Sequence, residues 1–314
     1  MVVDVPASVS EVLIRSWLEP FLCCSDDGSP AAGKYADELS CRVVVDELPN
    51  QDLSYSQRHG LAVIDRIIHI RPTEDPYHAA RSVLSLCRAF FKALAVATGG
   101  MNLHASCVVL DGKGTLVVGD RGAGKTTTLL RTLRGGEFSL LANDQVVAIA
   151  APNGRTSLWG YPALIKVRES SAQVVQVPWE ATMCFESDTL WPADDRRVGV
   201  FAPSDLCAAL GSRVVAEAEP AFAVLYEQSS DPSEFVVSPA ANDGSTWLSR
   251  AEFPLGTAYD SELTEIVDGL LDELPTRMTR ALSIDIPSYR IRCGHDRLGD
   301  FVTALRNLAE KVRQ

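Results

Sequence analysis

The chain has 314 residues, of which 46% are apolar and 22% charged, and its formal net charge at pH 7 is −12. A nucleic-acid footprint or a membrane-binding face needs a surplus of basic residues, so this acidic balance argues against both. Apolar runs stay shorter than the roughly 18 residues that span a bilayer, and the N-terminus MVVDVPASVS lacks the features of a signal peptide. We therefore expect a soluble, cytoplasmic protein with an ordinary core.

Eight cysteines are spread along the chain without CxxC spacing and without a Cys/His cluster. A disulfide framework or a structural zinc site would need such spacing. Free cysteines commonly pack as small hydrophobic side chains. The distribution therefore predicts buried free thiols.

The N-terminal part contains two strand-like runs, CRVVVDEL and LAVIDRIIHIR, between polar stretches rich in turn residues. A helix is predicted to follow, with Asp75 as its N-cap, Pro76 at its first position, and Gly99 and Gly100 as its stop signal. We expect residues 1–98 to form a small N-terminal α+β region and residues 99–314 to form a second domain.

Apolar runs and turns alternate beyond this point. ASCVVLDGKG and TLVVGD, joined at residues 111–114, predict a β-hairpin. FSLLANDQVVAIA is predicted to be a strand with a polar interruption, and SLWGYPALIKVRES a turn and a strand. PSDLCAALG, AFAVLYEQ, SELTEIVDGLLDEL and RLGDFVTALRNLAEKVRQ then alternate helical and strand patterns. The expected fold class is α/β.

TLVVGDRGAGKTTTLL contains the strongest motif in the sequence. Four of its residues complete the pattern G-x-x-x-x-G-K-[ST] between an apolar strand and a helix. The glycines let the backbone curl so that its N–H groups point at phosphate oxygens, and the helix presents the positive end of its dipole. ATP binding follows, with Lys125 on the β- and γ-phosphates and the Thr126 hydroxyl on Mg²⁺. The residues predicted to bind nucleotide are Gly119, Arg121, Gly122, Ala123, Gly124, Lys125, Thr126 and Thr127.

Asp144, in LLANDQVV, lies 19 residues after Lys125. This spacing predicts that one helix returns to the neighbouring strand, whose end then lies beside the γ-phosphate. A carboxylate at this position can coordinate Mg²⁺ or accept the proton of an attacking hydroxyl. Both roles indicate a phosphotransferase. Asn143 can hydrogen-bond a phosphate or water but cannot act as a base.

Other nucleotide-binding classes fit the sequence less well. A GTPase would carry an Asn-Lys-x-Asp motif downstream, and the sequence has none. An AAA-type or transporter ATPase usually places its acidic strand much farther from the loop. Kinases of the shikimate or nucleoside-monophosphate type carry an Asp at a similar distance, but they usually begin at the loop. A non-enzymatic ATP sensor stays open as an alternative.

The segment LHASCVVLDGKGTLVVGDRGAGKTTTLLRTLRGGEFSLLANDQVVAI resembles the catalytic core of HPr kinase/phosphorylase and its relatives, a P-loop kinase fold related to phosphoenolpyruvate carboxykinase. His104 precedes Lys125 by 21 residues, Gly119 and Asp120 open the loop, and ANDQV stands where the family has an Asp-Asp pair. The resemblance implies that residues 99–314 form the catalytic domain. It also implies that His104 lies near the transferred phosphate and that Asp144 is the general base.

The resemblance also concerns the ligands of the glycine loop and the oligomeric state. The resemblance implies that Lys125 and Thr126 bind ATP and Mg²⁺ and that the chain forms homo-oligomers. Thr126 and Asp144 are the candidate metal ligands.

Three departures from the family pattern concern the acceptor. Asn143 replaces the first acidic residue of the pair, and Ser157, in SLWG, stands where bifunctional members have Glu. The sequence also lacks the Arg-rich loop associated with docking HPr. These departures argue against a true HPr kinase/phosphorylase. The missing docking loop favours a small hydroxyl metabolite, such as a nucleoside or sugar-like biosynthetic intermediate, over the alternative of a peptide or protein serine.

Lys166 and Arg168 lie two positions apart in a predicted strand, so their side chains share a face. Such a pair can hold an anionic substrate or stabilise the charge of the transition state. A solvent-exposed strand face explains the two residues equally well. Arg168 and Asn143 are the candidate substrate contacts.

Overall fold

The computed structural model describes residues 100–150, 155–160, 163–177, 197–240, 245–251 and 284–313, with shorter pieces at 2–4, 42–45, 61–64, 67–70, 83–84, 88, 183–186 and 282. The chain divides into two units. One comprises Met1–Thr98 and Pro254–Thr279, and the other comprises Gly99–Phe253 and Arg280–Gln314. Each unit is therefore discontinuous in sequence.

The first unit contains a small four-stranded sheet in the order β1-β2-β4-β3. Its strands are β1 (Val2–Asp4), β2 (Arg42–Val45), β3 (Leu61–Ile64) and β4 (Ile67–Ile70). CRVVVDEL thus contains a strand, as predicted, and LAVIDRIIHIR forms two antiparallel strands. The helix predicted from Asp75 is described only at residues 83, 84 and 88, which are helical, and the rest of it lies outside the described residues.

Twelve further strands are described in the second unit, and nine of them form one mixed sheet. They are β5 (Met101–Leu103), β6 (Ser106–Leu110), β7 (Lys113–Val118), β8 (Ser139–Ala142), β9 (Val146–Ala150), β10 (Thr156–Trp159), β11 (Ile165–Arg168), β12 (Met183–Glu186), β13 (Arg197–Phe201), β14 (Glu217–Gln228), β15 (Phe235–Pro239) and β16 (Ser288–Cys293). The large sheet has the order β5-β9-β10-β14-β7-β6-β8, with β16 paired to β14 and β15 to β16. AFAVLYEQ lies within β14, so its predicted strand is confirmed.

The predicted hairpin is formed by β6 and β7, which pair antiparallel from Ser106–Val117 to Leu110–Lys113. Asp111 and Gly112 make the turn with φ of 50° and 77°. Two left-handed residues in succession match the right-handed twist of hairpin strands. Lys113 and Gly114 belong to β7 instead of the turn.

The strand that ends before Asp144 does not neighbour the strand that leads into the glycine loop. That expectation was wrong, because β8 pairs with β6, and β7 has β6 on one side and β14 on the other. The hairpin partner thus fills the place in which β8 was expected. Since β6 runs antiparallel to both, β7 and β8 still point the same way, and their carboxyl ends lie at one edge of the sheet.

The β6–β8 ladder continues into the β5–β9 ladder after a short break. Leu103 pairs with Val146 in one ladder, and Cys107 pairs with Ala142 in the other. The two pairs are four positions apart on both sides of the ladder, so the register is unchanged across the break. Residues 104–106 therefore lie opposite residues 143–145, which are the predicted polar interruption.

Five helices are described in the second unit. They are α1 (Lys125–Leu133), α2 (Glu169–Val175), α3 (Pro203–Ala209), α4 (Ser245–Ala251) and α5 (Leu298–Arg313). All except α2 contact strands of the large sheet, whereas α2 contacts α1, β11 and β13. The predicted helices in PSDLCAALG and RLGDFVTALRNLAEKVRQ are confirmed, whereas SELTEIVDGLLDEL lies outside the described residues. Alternate residues of the hairpin strands enter two hydrophobic cores, one containing α1 and α5 and the other containing Trp247 of α4. In the described part of the chain, no helix is both long and apolar enough to cross a membrane.

A separate three-stranded antiparallel sheet has the order β11-β13-β12. In β11, Ile165 and Val167 are buried, Lys166 is exposed and Arg168 is half-buried. The predicted strand is confirmed, and the alternation places Lys166 and Arg168 on the face opposite the buried residues.

Candidate functional site

The glycine loop joins the end of β7 to the first residue of α1. Gly122 and Gly124 have φ of 83° and 88°, in the left-handed region that favours glycine. Gly119 has a different constraint, because a Cβ atom on it would lie 2.7 Å from the carbonyl oxygen of Tyr226 in β14. The path of the loop therefore requires glycine at these three positions.

The Lys125 side chain lies along the inside of this loop. Its Nζ donates hydrogen bonds to the carbonyl oxygens of Gly119, at 2.7 Å, and of Asp120, at 3.0 Å. Burial lowers the pKa of Lys125, and the negative charges of Asp144 and Asp120 act in the opposite direction. The ammonium group is thus held among loop carbonyls, beside the predicted catalytic carboxylate.

The His104 and Asp144 side chains meet at the break between the two ladders. His104 Nε2 lies 3.0 Å from Asp144 Oδ1, with 30% of the histidine side chain and 54% of the aspartate side chain exposed. An ionised carboxylate only accepts hydrogen bonds, so Nε2 carries the hydrogen in this contact. Both side chains remain open to a substrate.

Two hydrogen bonds to backbone carbonyl groups hold the residues at this break in place. Ser106 Oγ donates a hydrogen bond to the carbonyl oxygen of Asn143, and the His104 amide donates to the carbonyl oxygen of Ala251, at the end of α4. Residues 104–106 are therefore tied both to the facing strand and to a helix. These contacts orient His104 and Asp144 toward the same space.

A cleft of about 510 Å³ brings the predicted site residues together. It is lined by His104, Arg121, Gly122, Gly124, Lys125, Thr126, Thr127, Asn143, Asp144, Lys166, Arg168, Ser170, Ser171, Val174, Val198, Tyr226, Gln228, His295 and Leu298. Gly119 and Ala123 are absent from this lining: Gly119 contacts Lys125 through its carbonyl group, and Ala123 packs against the core. Ser157 is also elsewhere, buried on β10 with its Oγ 2.6 Å from Glu217 Oε1.

Three residues of the cleft carry oxygen atoms that can serve as ligands of Mg²⁺, which prefers hard oxygen ligands. They are the Thr126 hydroxyl, the Asp144 carboxylate and the Asn143 amide oxygen. Asn143 Oδ1 is buried and has no hydrogen-bond partner among the residues that the structure describes. A buried hydrogen-bond acceptor without a partner lowers the stability of the fold. A cation, or a water bound to it, would supply that partner. The residues present therefore fit a magnesium ion.

Several cleft residues were not predicted from the sequence. Tyr226 and Gln228 stand at the carboxyl end of β14, Ser171 lies in the first turn of α2, and His295 precedes α5. Burial raises the pKa of Tyr226, so its phenol stays a neutral hydrogen-bond donor. The signal for Tyr226 and Gln228 was present, because ligands in α/β proteins bind beyond the carboxyl ends of strands. No signal in the sequence marked His295.

A hydrogen bond between two residues that line the cleft links α1 to α2. Thr127 Oγ1 and Ser171 Oγ are 2.9 Å apart. This hydrogen bond joins the first turns of the two helices and places the end of β11 near the glycine loop. Arg168 and the loop therefore line one continuous space.

The chain has a distant structural likeness to known proteins. No family model matches the chain, and no curated protein matches it. Among solved structures, the chain is similar to the HPr(Ser) kinase/phosphatase from Coxiella burnetii, with 13% sequence identity over 68% of this chain and 99% of that chain and a TM-score of 0.33. A likeness at this level does not extend to the reaction or to the residues that perform it.

Proposed function

We propose that the protein is an ATP-dependent kinase that transfers the γ-phosphoryl group to a hydroxyl of a small metabolite. One observation carries the proposal: the His104–Asp144 pair, at 3.0 Å, lines the same cleft as Lys125 and Thr126. A glycine loop alone suits many nucleotide-binding proteins. A carboxylate beside that loop, with a histidine bonded to it, suits proton removal from an acceptor.

The loop binds the nucleotide phosphates in this mechanism. Its backbone N–H groups and the start of α1 bind the phosphate oxygens, and Lys125 moves its hydrogen bonds from the loop carbonyls to the β- and γ-phosphates. Thr126 and Asn143 would hold Mg²⁺, which would neutralise the charge that develops on the phosphates, and Asp144 is left for the acceptor. Arg121, exposed in the same loop, can bind the outer phosphate oxygens.

Asp144 acts as the general base. Its carboxylate accepts the proton of the acceptor hydroxyl while the hydroxyl oxygen forms a bond to the γ-phosphorus, and the bond from that phosphorus to the bridging oxygen of ADP breaks. The products are ADP, a phosphate monoester and protonated Asp144. His104, bonded to Oδ1, is a positioning residue that leaves Oδ2 for the acceptor.

The size of the cleft also indicates which class of acceptor it can hold. Its volume of about 510 Å³ lies in the range of small-molecule sites, and the sequence lacks the Arg-rich docking loop of the kinases that act on HPr. A nucleoside or sugar-like biosynthetic intermediate fits both observations. A serine in a peptide or protein is the alternative acceptor.

Phosphorus NMR of the protein with Mg²⁺-ATP tests the proposal. The acceptor panel contains nucleosides, sugars, sugar phosphates, hydroxy acids and serine peptides. We expect a new phosphomonoester signal with one class of small molecule. The Asp144→Asn variant should lower kcat by at least about 100-fold, the contribution typical of a general base, and should still bind ATP in calorimetry.

Two variants serve as references for this experiment. Asp285→Asn removes a carboxylate that is exposed and outside the cleft, so its kcat should match that of the wild type. Lys125→Met should remove ATP-dependent transfer. Unchanged transfer in Asp144→Asn would refute the base assignment, signals with peptides alone would indicate a peptide kinase, and ATP binding without any transfer would indicate a sensor.

A further inference from the structure

We propose that the acceptor carries an oxyanion, either a carboxylate or a phosphate group, and that Lys166 and Arg168 bind it. This inference rests on the proposed kinase function and names the chemical class of its acceptor. It assigns Lys166 and Arg168, on the β11 wall of the cleft, to the acceptor and leaves the nucleotide to the glycine loop.

The charge of the cleft differs in sign from that of the chain. Among the lining residues that the structure describes, four side chains are cationic and one is a carboxylate, whereas the whole chain has a net charge of −12. The cations are Arg121, Lys125, Lys166 and Arg168, and the carboxylate is Asp144. A concentration of positive charge in an acidic protein raises the local concentration of anionic substrates.

The nucleotide accounts for only part of this positive charge. Lys125 and Arg121 belong to the glycine loop, which also supplies backbone N–H groups for the phosphates. Lys166 and Arg168 come from β11, in the separate three-stranded sheet. Two cations on a second wall of the cleft therefore suit a second anion.

The backbone of β11 directs both cations to one side. Ile165 and Val167 are buried on one face of the strand, so Lys166 and Arg168 project from the other face, which lines the cleft. Arg168 is half-buried, and guanidinium groups match the planar geometry of carboxylate and phosphate oxygens.

The carboxylate next to Arg168 in sequence is engaged elsewhere. Arg197 Nη1 lies 3.0 Å from Glu169 Oε1 and 3.2 Å from Oε2. Glu169 is not among the cleft-lining residues that the structure describes. Arg197 thus compensates the charge of Glu169.

The hydrogen bond between Thr127 and Ser171 joins the two helices that begin beside the two anion sites. It joins the first turn of α1, next to the phosphate loop, to the first turn of α2, next to Arg168. One small molecule can then place its oxyanion at β11 and its hydroxyl at Asp144. Glycerate and glycerol 3-phosphate are simple compounds with both groups.

Steady-state kinetics with three matched acceptors test this assignment. Glycerol is neutral, glycerate carries a carboxylate and glycerol 3-phosphate carries a phosphate, so the pair of anionic probes separates the two sources of the oxyanion. We expect kcat/KM at least about 10-fold higher for one anionic probe than for glycerol, a difference of about 1.4 kcal/mol. The Arg168→Gln and Lys166→Gln variants should abolish that preference by raising the KM for the anionic probe, with the KM for ATP unchanged.

A charge-matched control is Arg155→Gln. The Arg155 side chain is 72% exposed, pairs with Glu219 and lies outside the cleft, so this variant should keep the preference for the anionic probe. A fall in kcat with all three acceptors in Arg168→Gln would instead assign Arg168 to the transferred phosphoryl group and overturn the proposal. Equal or better transfer to glycerol would overturn it as well.

Calorimetry separates this inference from the kinase proposal. The protein loaded with Mg²⁺ and a non-hydrolysable ATP analogue is titrated with glycerate and with glycerol 3-phosphate. Binding of either compound that weakens at least about 10-fold in Arg168→Gln, but not in Arg155→Gln, supports the anion site even if no transfer occurs, in which case the kinase proposal alone fails. Absence of binding by both compounds overturns the anion site, whatever the kinase activity.

Discussion

Lys125 shows how one buried charge makes nucleotide binding depend on pH. Burial lowers its pKa below the ordinary lysine value of 10.5, against the influence of Asp144 and Asp120. Phosphate binding that needs the ammonium group is present below the lowered pKa and is lost as the pH rises through it. ATP affinity should therefore decline at a lower alkaline pH than an ordinary lysine would produce.

Calorimetric titration with ATP between about pH 7 and pH 10, below the ordinary lysine range, measures this decline. Lys125→Met has no titrating group at that position, so its weaker affinity should lack the decline. A wild-type affinity that stays constant over this range would contradict the lowered pKa.

Gly119 shows a second effect at the residue scale, which is steric. A Cβ atom at this position would lie 2.7 Å from the Tyr226 carbonyl oxygen, which belongs to the central strand β14 and has little freedom to shift. Gly119→Ala should lower the free energy of unfolding by about 1–3 kcal/mol, as overpacked sites do, and should weaken ATP binding. Urea unfolding measures the first effect and calorimetry the second.

Gly299 offers a matched control for that substitution. It lies in α5, and a Cβ atom built on it meets no other atom within 4 Å. Gly299→Ala should leave the protein unchanged or stabilise it by up to about 1 kcal/mol, because alanine restricts the unfolded chain. Equal losses of stability in both variants would argue against the steric explanation.

At the scale of elements, the contact between α1 and α2 couples the glycine loop to the β11 wall. The Thr127–Ser171 hydrogen bond, at 2.9 Å, is a side-chain link between their first turns. A double-mutant cycle with Thr127→Ala and Ser171→Ala should give a coupling of about 0.5–1.5 kcal/mol in the free energy of unfolding. Urea denaturation of the four proteins measures it.

Thr156→Ala, on β10, provides the reference for this cycle. Thr156 is outside the cleft. The changes that Thr156→Ala and Thr127→Ala make in the free energy of unfolding should therefore add to within about 0.5 kcal/mol. Additive behaviour of Thr127→Ala and Ser171→Ala would show that the two helices are held together by other contacts.

At the scale of the whole molecule, cysteines stand in the two hydrophobic cores on either side of the large sheet. Cys107, Cys207 and Cys293 are buried free thiols, as predicted. Burial raises the pKa of Cys207 to about 12 and that of Cys293 to about 11. The reactive thiolate is therefore scarce at neutral pH.

These three thiols should resist alkylation by iodoacetamide in the native protein near pH 8 and react fully in urea. Peptide mass spectrometry distinguishes each site, with the denatured protein as the reference for complete labelling. Fast native labelling of Cys107, which lies in β6 beside the candidate site, would contradict its burial between the sheet and α4.

Local patterns were sufficient to predict several elements. The hairpin, the glycine loop and its helix, the interrupted strand before Asp144 and the alternation in β11 all follow from period-two apolar residues, glycines and turn residues within short windows. The loop residues that line the cleft were predicted because the motif specifies them by spacing. The meeting of His104 with Asp144 was expected only from the family resemblance, since 40 residues separate them.

Strand order and the full set of cleft residues were decided by tertiary structure. Nothing near β8 in sequence indicates that β6 takes the place beside β7, because that choice depends on which strands compete for the same edge. Tyr226, Gln228 and His295 reach the cleft from segments at least 100 residues beyond the glycine loop. Short-range chemistry therefore predicted the phosphate loop, whereas long-range pairing and packing determined the remaining walls of the site.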